Sequence, residues 1–194
     1  MESKGMEFQL GYQDRKNDWN WFFNANTSYA TNKVKDLAGT GPWIGNSTFT
    51  DVGHTYNLPY GYRAIGLFQS EEEIKSSPSQ GTNVFPGNIK FEDVNGDGQI
   101  NGDDRVILRD KPVIRFGFNL GFGWKNIDVS MNAYGALQNA RYISNYEGWA
   151  FYLSQNARPM HLDNWTTENP NASYPRLSLQ YTSNDTQYSD FWLR

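Results

Sequence analysis

The stretch Ile114-Arg-Phe-Gly-Phe-Asn-Leu-Gly-Phe-Gly-Trp124, continued after Lys125-Asn126 by Ile127-Asp-Val-Ser-Met-Asn-Ala133, decides the fold of this chain. In both halves every second residue is aromatic or aliphatic. The residues between them are Gly, Asn, Arg, Asp or Ser. Because a period of two places successive side chains on opposite faces of a β-strand, the stretch predicts an antiparallel hairpin. One face is bulky and apolar, and the other is small and polar.

The composition of the polar face bears on the surroundings of this hairpin. Gly and Asn have poor strand propensity, and they are too small and polar for an ordinary core. A barrel lumen tolerates them, and each strand has about the ten residues that a tilted membrane strand needs. A soluble β-sandwich also alternates apolar and polar residues. On these residues alone, a transmembrane barrel and a soluble sandwich both stay open.

A second hairpin is predicted near the start of the chain. Phe8, Leu10 and Tyr12 alternate with polar residues over residues 7–13, and a polar turn follows at residues 14–18. The alternation then resumes over residues 19–30, starting with the tryptophans at 19 and 21. The pattern predicts two antiparallel strands that again carry one apolar face.

The rest of the chain is less regular. Residues 60–70 look strand-like, and a short helix is predicted over residues 71–75, with Ser70 as its N-cap and acids in its first turn. Residues 138–190 form a long aromatic, Asn-rich stretch that predicts loops. We expect Trp149 and Trp165 of this stretch to be exposed. They are candidates for stacking on sugar rings, and loop packing or a membrane-interface girdle is the alternative.

Residues 93–104 match a twelve-residue calcium loop. Side-chain oxygens occupy positions one, three, five, nine and twelve, Gly98 occupies position six, and the residue at position seven offers its carbonyl oxygen. Ca²⁺ prefers six to eight such oxygen ligands. A solvated turn that binds nothing is the alternative. Asp at position twelve, in place of Glu, is typical of structural rather than sensor loops. The predicted ligands are Asp93, Asn95, Asp97, Gln99, Asn101 and Asp104.

Composition and motifs argue against several other functions. The net charge is −4, which does not favour a nucleic-acid partner. The chain has no Cys and has histidines only at positions 54 and 161, so thiolate chemistry is excluded and a zinc site is not supported. No nucleophile elbow or phosphate loop is found, and clustered acids such as those at residues 71–73 are typical of a solvated face. The sequence predicts a protein that is not an enzyme.

Several sequence blocks in a fixed order resemble one family over nearly the whole chain. These blocks are residues 61–74, residues 86–98 running into Asp103-Asp-Arg105, the strand at residues 115–122, residues 165–176, and the end Ser189-Asp-Phe-Trp-Leu-Arg194. Together with the first hairpin, they resemble the C-terminal barrel region of SusC/RagA-type TonB-linked outer-membrane transporters. The resemblance identifies residues 1–194 as part of an outer-membrane barrel wall, with the calcium loop at residues 93–104 inside it.

The resemblance implies an all-β fold, an antiparallel meander forming part of a transmembrane β-barrel with long extracellular loops. It also implies import of oligosaccharides or peptides, a SusD-type surface lipoprotein as a lid, and coupling to the TonB complex through an N-terminal part. The signal peptide and plug domain of the family have no counterpart in this sequence. Short turns are expected on the periplasmic side. The alternative function is a soluble, calcium-stabilised β domain that binds glycans.

Overall fold

The computed structural model describes residues 1–145, 147–179 and 184–194; residue 146 and residues 180–183 of the predicted loop stretch lie outside this description. The elements in chain order are the strands and helix β1 Glu2–Lys16, β2 Trp19–Lys33, β3 Trp43–Ile44, β4 Thr48–Thr50, β5 Leu58–Gly61, β6 Ala64–Leu67, α1 Glu71–Ser76, β7 Ile89–Phe91, β8 Val106–Ile107, β9 Ile114–Trp124 and β10 Ile127–Leu137. Short 3-10 turns occur at Gly102–Asp104, Tyr152–Ser154, Pro159–His161 and Asp190–Trp192. Among the described residues, no helix combines the length and apolar composition that crossing a membrane requires.

The chain divides into two compact units. The sheet unit consists of Met1–Pro42, Thr50–Tyr56 and Asp110–Asn139. The loop unit consists of Trp43–Phe49, Asn57–Arg109 and Ala140–Arg194.

The sheet unit is built on a four-stranded antiparallel sheet with the order β1-β2-β9-β10. Both predicted hairpins are confirmed, and the all-β antiparallel fold with them. The first turn is tighter than the predicted span of residues 14–18, because Lys16 pairs with Trp19 and only two residues connect the strands. Asn17 makes this possible, since its φ of 55° is a left-handed conformation that Asn tolerates. Lys125 has a similar φ of 51° in the second turn.

The two hairpins are joined by pairing of β2 with β9, in a register that places Trp19 opposite Trp124 and Tyr29 opposite Ile114. Because side chains opposite each other in register lie on the same face, the apolar residues of all four strands form one continuous surface. This surface stays exposed: Phe8 is 62% and Val129 is 61% exposed. The sheet of the described residues is open at β1 and β10.

The loop unit contains short strands and a helix. β5 pairs with β8, and β6 pairs with β7, both antiparallel. The region 60–70, predicted as one strand-like stretch, therefore contributes to two separate pairings. The predicted helix is confirmed as α1, and its N-cap is Ser70, whose hydroxyl accepts a hydrogen bond from the backbone N–H of Glu73.

The buried core of the loop unit is formed by Ile89, Phe91, Tyr174 and Trp192. Tyr174 comes from the stretch 138–190, and Trp192 follows shortly after it. That stretch has little regular secondary structure over its described part, as predicted. It nevertheless packs around its own aromatic residues, because Tyr174 and Trp192 are only 5% and 2% exposed.

Side-chain hydrogen bonds replace strand pairing around this core. The buried Asp185 carboxylate accepts from the Asn88 side-chain amide at 2.6 Å and from the Ile89 backbone N–H at 3.3 Å. The Asn184 side-chain amide donates to the Ile89 carbonyl at 2.8 Å. The Trp192 indole N–H donates to the Asp185 carbonyl at 2.8 Å. These bonds satisfy backbone groups that a regular sheet would otherwise pair.

Candidate functional site

The exposed apolar surface of the sheet unit is a candidate interaction surface. It runs along β2 from Trp19 to Tyr29. These ten residue steps correspond to about 33 Å of strand, and to about 23 Å of height if the strand is tilted by about 45°. That height is close to the roughly 25 Å apolar band of outer-membrane barrels.

Aromatic rings cluster at the turn end of this surface. Trp19 stacks on Trp124 with ring centroids 5.5 Å apart, and it contacts Phe122 at 5.2 Å. Tyr12 and Trp21 lie 4.8 Å apart. The Lys125 ammonium lies 5.0 Å from the Trp124 ring. Amphipathic rings beside lysine are typical of the boundary between hydrocarbon and water.

The opposite face of the sheet is polar and close-packed at its glycines. One row across the strands consists of Gly11, Asn24, Asn119 and Asn132 in register. A Cβ atom on Gly121 would overlap the Phe22 ring. Glycine is thus required where a neighbouring ring lies over the strand. The small polar face predicted from the alternation is present.

The loop at residues 93–104 is folded around its own carboxylates. The two Asp93 oxygens accept backbone hydrogen bonds from Gly96 at 2.7 Å and Gly98 at 2.9 Å. Asn95 accepts from the Asp97 backbone, and Asp97 accepts from the Gln99 backbone at 2.8 Å. Gly96 and Gly98 have φ values of +76° and +81°, which glycine adopts readily. The backbone therefore wraps around the predicted ligand side chains.

Asp104 closes this loop. It is fully buried, and its carboxylate accepts from the backbone N–H groups of Val94 at 2.9 Å and Asn101 at 2.8 Å. Burial alone would raise the pKa of Asp104, but these backbone donors outweigh burial and lower the pKa below its ordinary value. The neighbouring Asp93 side chain also contributes to the lowered pKa of Asp104. The two carboxylates at positions one and twelve are thus brought together.

The loop is tied to its surroundings on both sides. Ser79 bonds to it twice, through its N–H to the Gly98 carbonyl at 2.9 Å and through its carbonyl to the Ile100 N–H at 2.8 Å. Arg105 donates to the carbonyls of Gly45 at 2.8 Å and Asn46 at 2.6 Å. Its guanidinium also lies 4.6 Å from the Tyr60 ring. The loop is therefore a fixed part of its unit.

The metal site itself stays a prediction. Within residues 1–145, 147–179 and 184–194, no three His, Asp or Glu side chains converge as a metal-holding group. The loop brings together Asp93 and Asp104, while Asp97 bonds to the side-chain amide of Asn95 at 3.1 Å. Ligation of Ca²⁺ by this loop requires the Asn oxygens and the Gln99 carbonyl in addition to carboxylates, which is the ordinary mixture for this ion.

The expected exposure of the two loop tryptophans is wrong for Trp165 and only partly right for Trp149. Trp165 is 9% exposed, and its indole N–H donates to the Gln69 side-chain oxygen at 3.0 Å. Trp149 is half-buried and packs against the core of the loop unit. A core needs large apolar side chains, and in an irregular segment no alternation distinguishes buried rings from exposed ones.

Sequence reasoning missed a buried polar cluster around the carbonyl of Gly148. The Tyr174 hydroxyl donates to this carbonyl at 2.9 Å, and His161 Nε2 lies 3.2 Å from it. His161 Nδ1 accepts from the Arg158 N–H at 2.9 Å, so Nε2 carries the proton and donates. Burial lowers the pKa of His161. The cluster is structural, and no local sequence signal brings these residues together.

Comparison with known proteins agrees with the family resemblance. No family model matches the chain. TonB-dependent receptor P26 of Formosa agariphila is 32% identical over 187 residues, which cover 91% of this chain and 19% of that protein. TonB-dependent receptor P3 of the same organism is 25% identical over 196 residues, with 93% and 19% covered. The chain thus spans about one fifth of the length of these relatives.

Solved structures with the same fold come from a peptide transporter. The RagAB peptide transporter matches with a TM-score of 0.62 at 22% identity, covering 98% of this chain and 21% of that one. The RagAB peptide importer in its closed-closed state also gives a TM-score of 0.62 at 22% identity. The relatives are receptors and transporters, which confirms the prediction that the chain is not an enzyme. This chain belongs to the TonB-dependent receptors, and its fold is that of a SusC/RagA-type segment.

Proposed function

We propose that this chain forms barrel wall and extracellular loops of an outer-membrane TonB-dependent importer for oligosaccharides or peptides. The observation that carries the proposal is the exposed apolar surface of the sheet unit, backed by a face of Gly and Asn. Contact with outer-membrane lipid would cover the first face, and the barrel lumen would accommodate the second. The alternative of a soluble glycan-binding domain loses support, because such a domain would bury this surface.

Import needs partners that lie outside this chain. A SusD-type lipoprotein would cover the extracellular side, and the TonB complex would act through an N-terminal part of the complete receptor. Both of these partners are inferred from the family to which the chain belongs. The test is a strain lacking the complete receptor gene, grown on α-glucan oligosaccharides or on a casein peptide digest. Complementation with the receptor gene should restore growth on either the oligosaccharides or the peptide digest. Equal growth with and without the receptor on both would contradict the proposal.

The orientation of the two units is open to a labelling experiment. Long loops of such barrels lie outside and short turns lie in the periplasm. This segment has no native Cys, so an introduced cysteine is the only thiol of the segment. Leu162→Cys lies in the loop unit at an 83% exposed position, and Lys125→Cys lies in a turn. On intact cells an impermeant maleimide should label the first and spare the second; the reverse result would overturn the orientation.

We also propose that residues 93–104 hold a structural Ca²⁺ ion through Asp93, Asn95, Asp97, Gln99, Asn101 and Asp104. The loop backbone supports the proposal, because its hydrogen bonds to the Asp93 and Asp104 carboxylates hold oxygen side chains of the ligand positions within one short turn. The ion would supply charge compensation and pin the loop. It takes no part in any chemical step.

Calorimetric titration of Ca²⁺ into the complete receptor tests the site. Wild type should give a saturable heat that Asp97→Ala abolishes. Asp103→Ala is the matched control, because Asp103 is an exposed acid of the same loop outside the predicted ligand set. Equal heats of Ca²⁺ binding for wild type and Asp97→Ala would contradict the assignment. An equal loss of heat in Asp97→Ala and Asp103→Ala would contradict it as well.

A further inference from the structure

The apolar surface of the sheet unit changes abruptly into a charged one at the end away from the turns. The last apolar pair across β1 and β2 is Met6 with Tyr29. The next pair on the same face is Lys4 with Thr31, and the one after it is Glu2 with Lys33. Two more steps along a strand amount to about 7 Å. Lysine side chains therefore begin within about 7 Å of the edge of the apolar surface.

These lysines line a groove, which we name the lysine groove. It has a volume of about 410 Å³, and its charged lining is Glu2, Lys4, Lys33, Lys35 and Asp110. The Glu2 carboxylate pairs with the Lys4 ammonium at 2.9 Å and with the Lys35 ammonium at 2.6 Å. Three ammonium groups against two carboxylates leave an excess of one positive charge. The side chains of Lys4 and Lys35 are 73% and 58% exposed, so the groove is open to a ligand.

The lining of the lysine groove also contains uncharged polar groups. Thr31, Asn32 and Thr55 add hydroxyl and amide groups to the same groove. The segment that carries Thr55 is fixed by backbone hydrogen bonds of 2.9 Å, from Val34 to the His54 carbonyl and from Gly53 to the Val34 carbonyl. Ammonium donors beside hydroxyl groups suit a phosphate oxygen, since each phosphate accepts several hydrogen bonds.

The position of the groove selects the source of the phosphate. Lysine stems can lie along an apolar surface while their ammonium groups reach the headgroup level. We propose that the lysine groove binds the phosphate of an anionic lipid headgroup, in the leaflet that borders this end of the apolar surface. The inference rests on the proposed function, because it requires the apolar surface to face lipid.

The test uses the complete receptor reconstituted in phosphatidylcholine vesicles that contain phosphatidylglycerol. The phosphatidylglycerol retained after detergent extraction is counted by native mass spectrometry. Lys33→Gln should lower retention about fivefold, since each surface lysine contributes roughly that factor to anionic-lipid binding. Glu2→Gln should raise retention, because it removes the carboxylate that competes for Lys4 and Lys35. Lys75→Gln, an exposed lysine of α1, is the matched control and should change nothing.

Three outcomes would overturn the inference. Equal retention in wild type and Lys33→Gln would remove the groove from lipid binding. Displacement of the lipid by inorganic phosphate at matched concentration would identify a site for free anions instead. A receptor that fails to assemble in vesicles, judged by the absence of a heat-modifiable folded band, would reject the proposed function itself, and the inference would fall with it. The first two outcomes leave the proposed function intact.

Discussion

The sheet unit and the loop unit reach stability by different routes. In the sheet unit, β1, β2, β9 and β10 pair along their whole lengths, yet most of the bulky side chains remain exposed. In the loop unit, strands are only two to four residues long, yet Ile89, Phe91 and Trp192 are at most 2% exposed. Backbone pairing without burial leaves a surface that needs an apolar environment. Burial with side-chain hydrogen bonds lets an irregular segment hold together in water.

The largest expected effect probes the surroundings of the sheet. Met131→Arg places a charge in the middle of the apolar surface, so folding of the complete receptor into lipid vesicles should weaken by about 2–4 kcal/mol. Ser130→Arg, one residue away on the polar face, should cost much less. Urea titration with a heat-modifiability readout measures both variants. Equal effects, or a larger effect of Ser130→Arg, would contradict the assignment of the two faces.

The next effect probes packing in the loop unit. Gly87 has a φ of +86°, and a Cβ atom there would overlap the Trp165 ring. Gly87→Ala should destabilise the loop unit by about 2–4 kcal/mol, through backbone strain and overpacking together. Gly81→Ala is the control, because Gly81 has a φ of +89° with nothing within 4 Å of its Cβ position. Gly81→Ala should lower the stability of the loop unit by about 1 kcal/mol, because of backbone strain alone.

Amide hydrogen exchange of residues 85–91 in the complete receptor measures this difference. Exchange in β9 serves as an internal reference, since the sheet unit should be unaffected. If Gly87→Ala and Gly81→Ala accelerate exchange equally, the packing of Trp165 against Gly87 is not what stabilises this part of the loop unit.

The smallest expected effect is a pH dependence confined to the loop unit. Burial lowers the pKa of His161 below its ordinary value of 6.5. The unfolded state therefore binds the proton more readily, and stability is lost as the pH falls below about 6.5 towards the lowered pKa. The opening equilibrium around His161 should increase by at most about tenfold per pH unit in this window.

Limited proteolysis between pH 7 and pH 5, at about one-unit steps, checks the role of His161. The variant His161→Phe removes the titrating group, so its cleavage rate in the loop unit should lose this pH dependence even if it is faster throughout. A pH dependence that persists in His161→Phe would assign the effect to another group.

The sequence supported some elements much better than others. Residues 114–124 alternate without interruption, so the strand, its partner and its two faces follow from a period of two alone. Ser70 and the three acids after it predicted α1 for an equally local reason. The first turn was predicted too long, over residues 14–18, because Asp14, Arg15 and Lys16 look like loop residues, although cross-strand pairing holds them in β1.

The sequence alone determined the alternation of the hairpins, the spacing of oxygen groups in residues 93–104 and the order of blocks that resembles the family. These features depend on neighbours along the chain. Tertiary structure alone decided that Trp165 is buried and that the Asp185 carboxylate accepts a hydrogen bond from Asn88. It also decided that Lys4, Lys33 and Lys35 line one groove. Those contacts join residues up to 97 positions apart, and their free energy comes from packing and desolvation that no local pattern encodes.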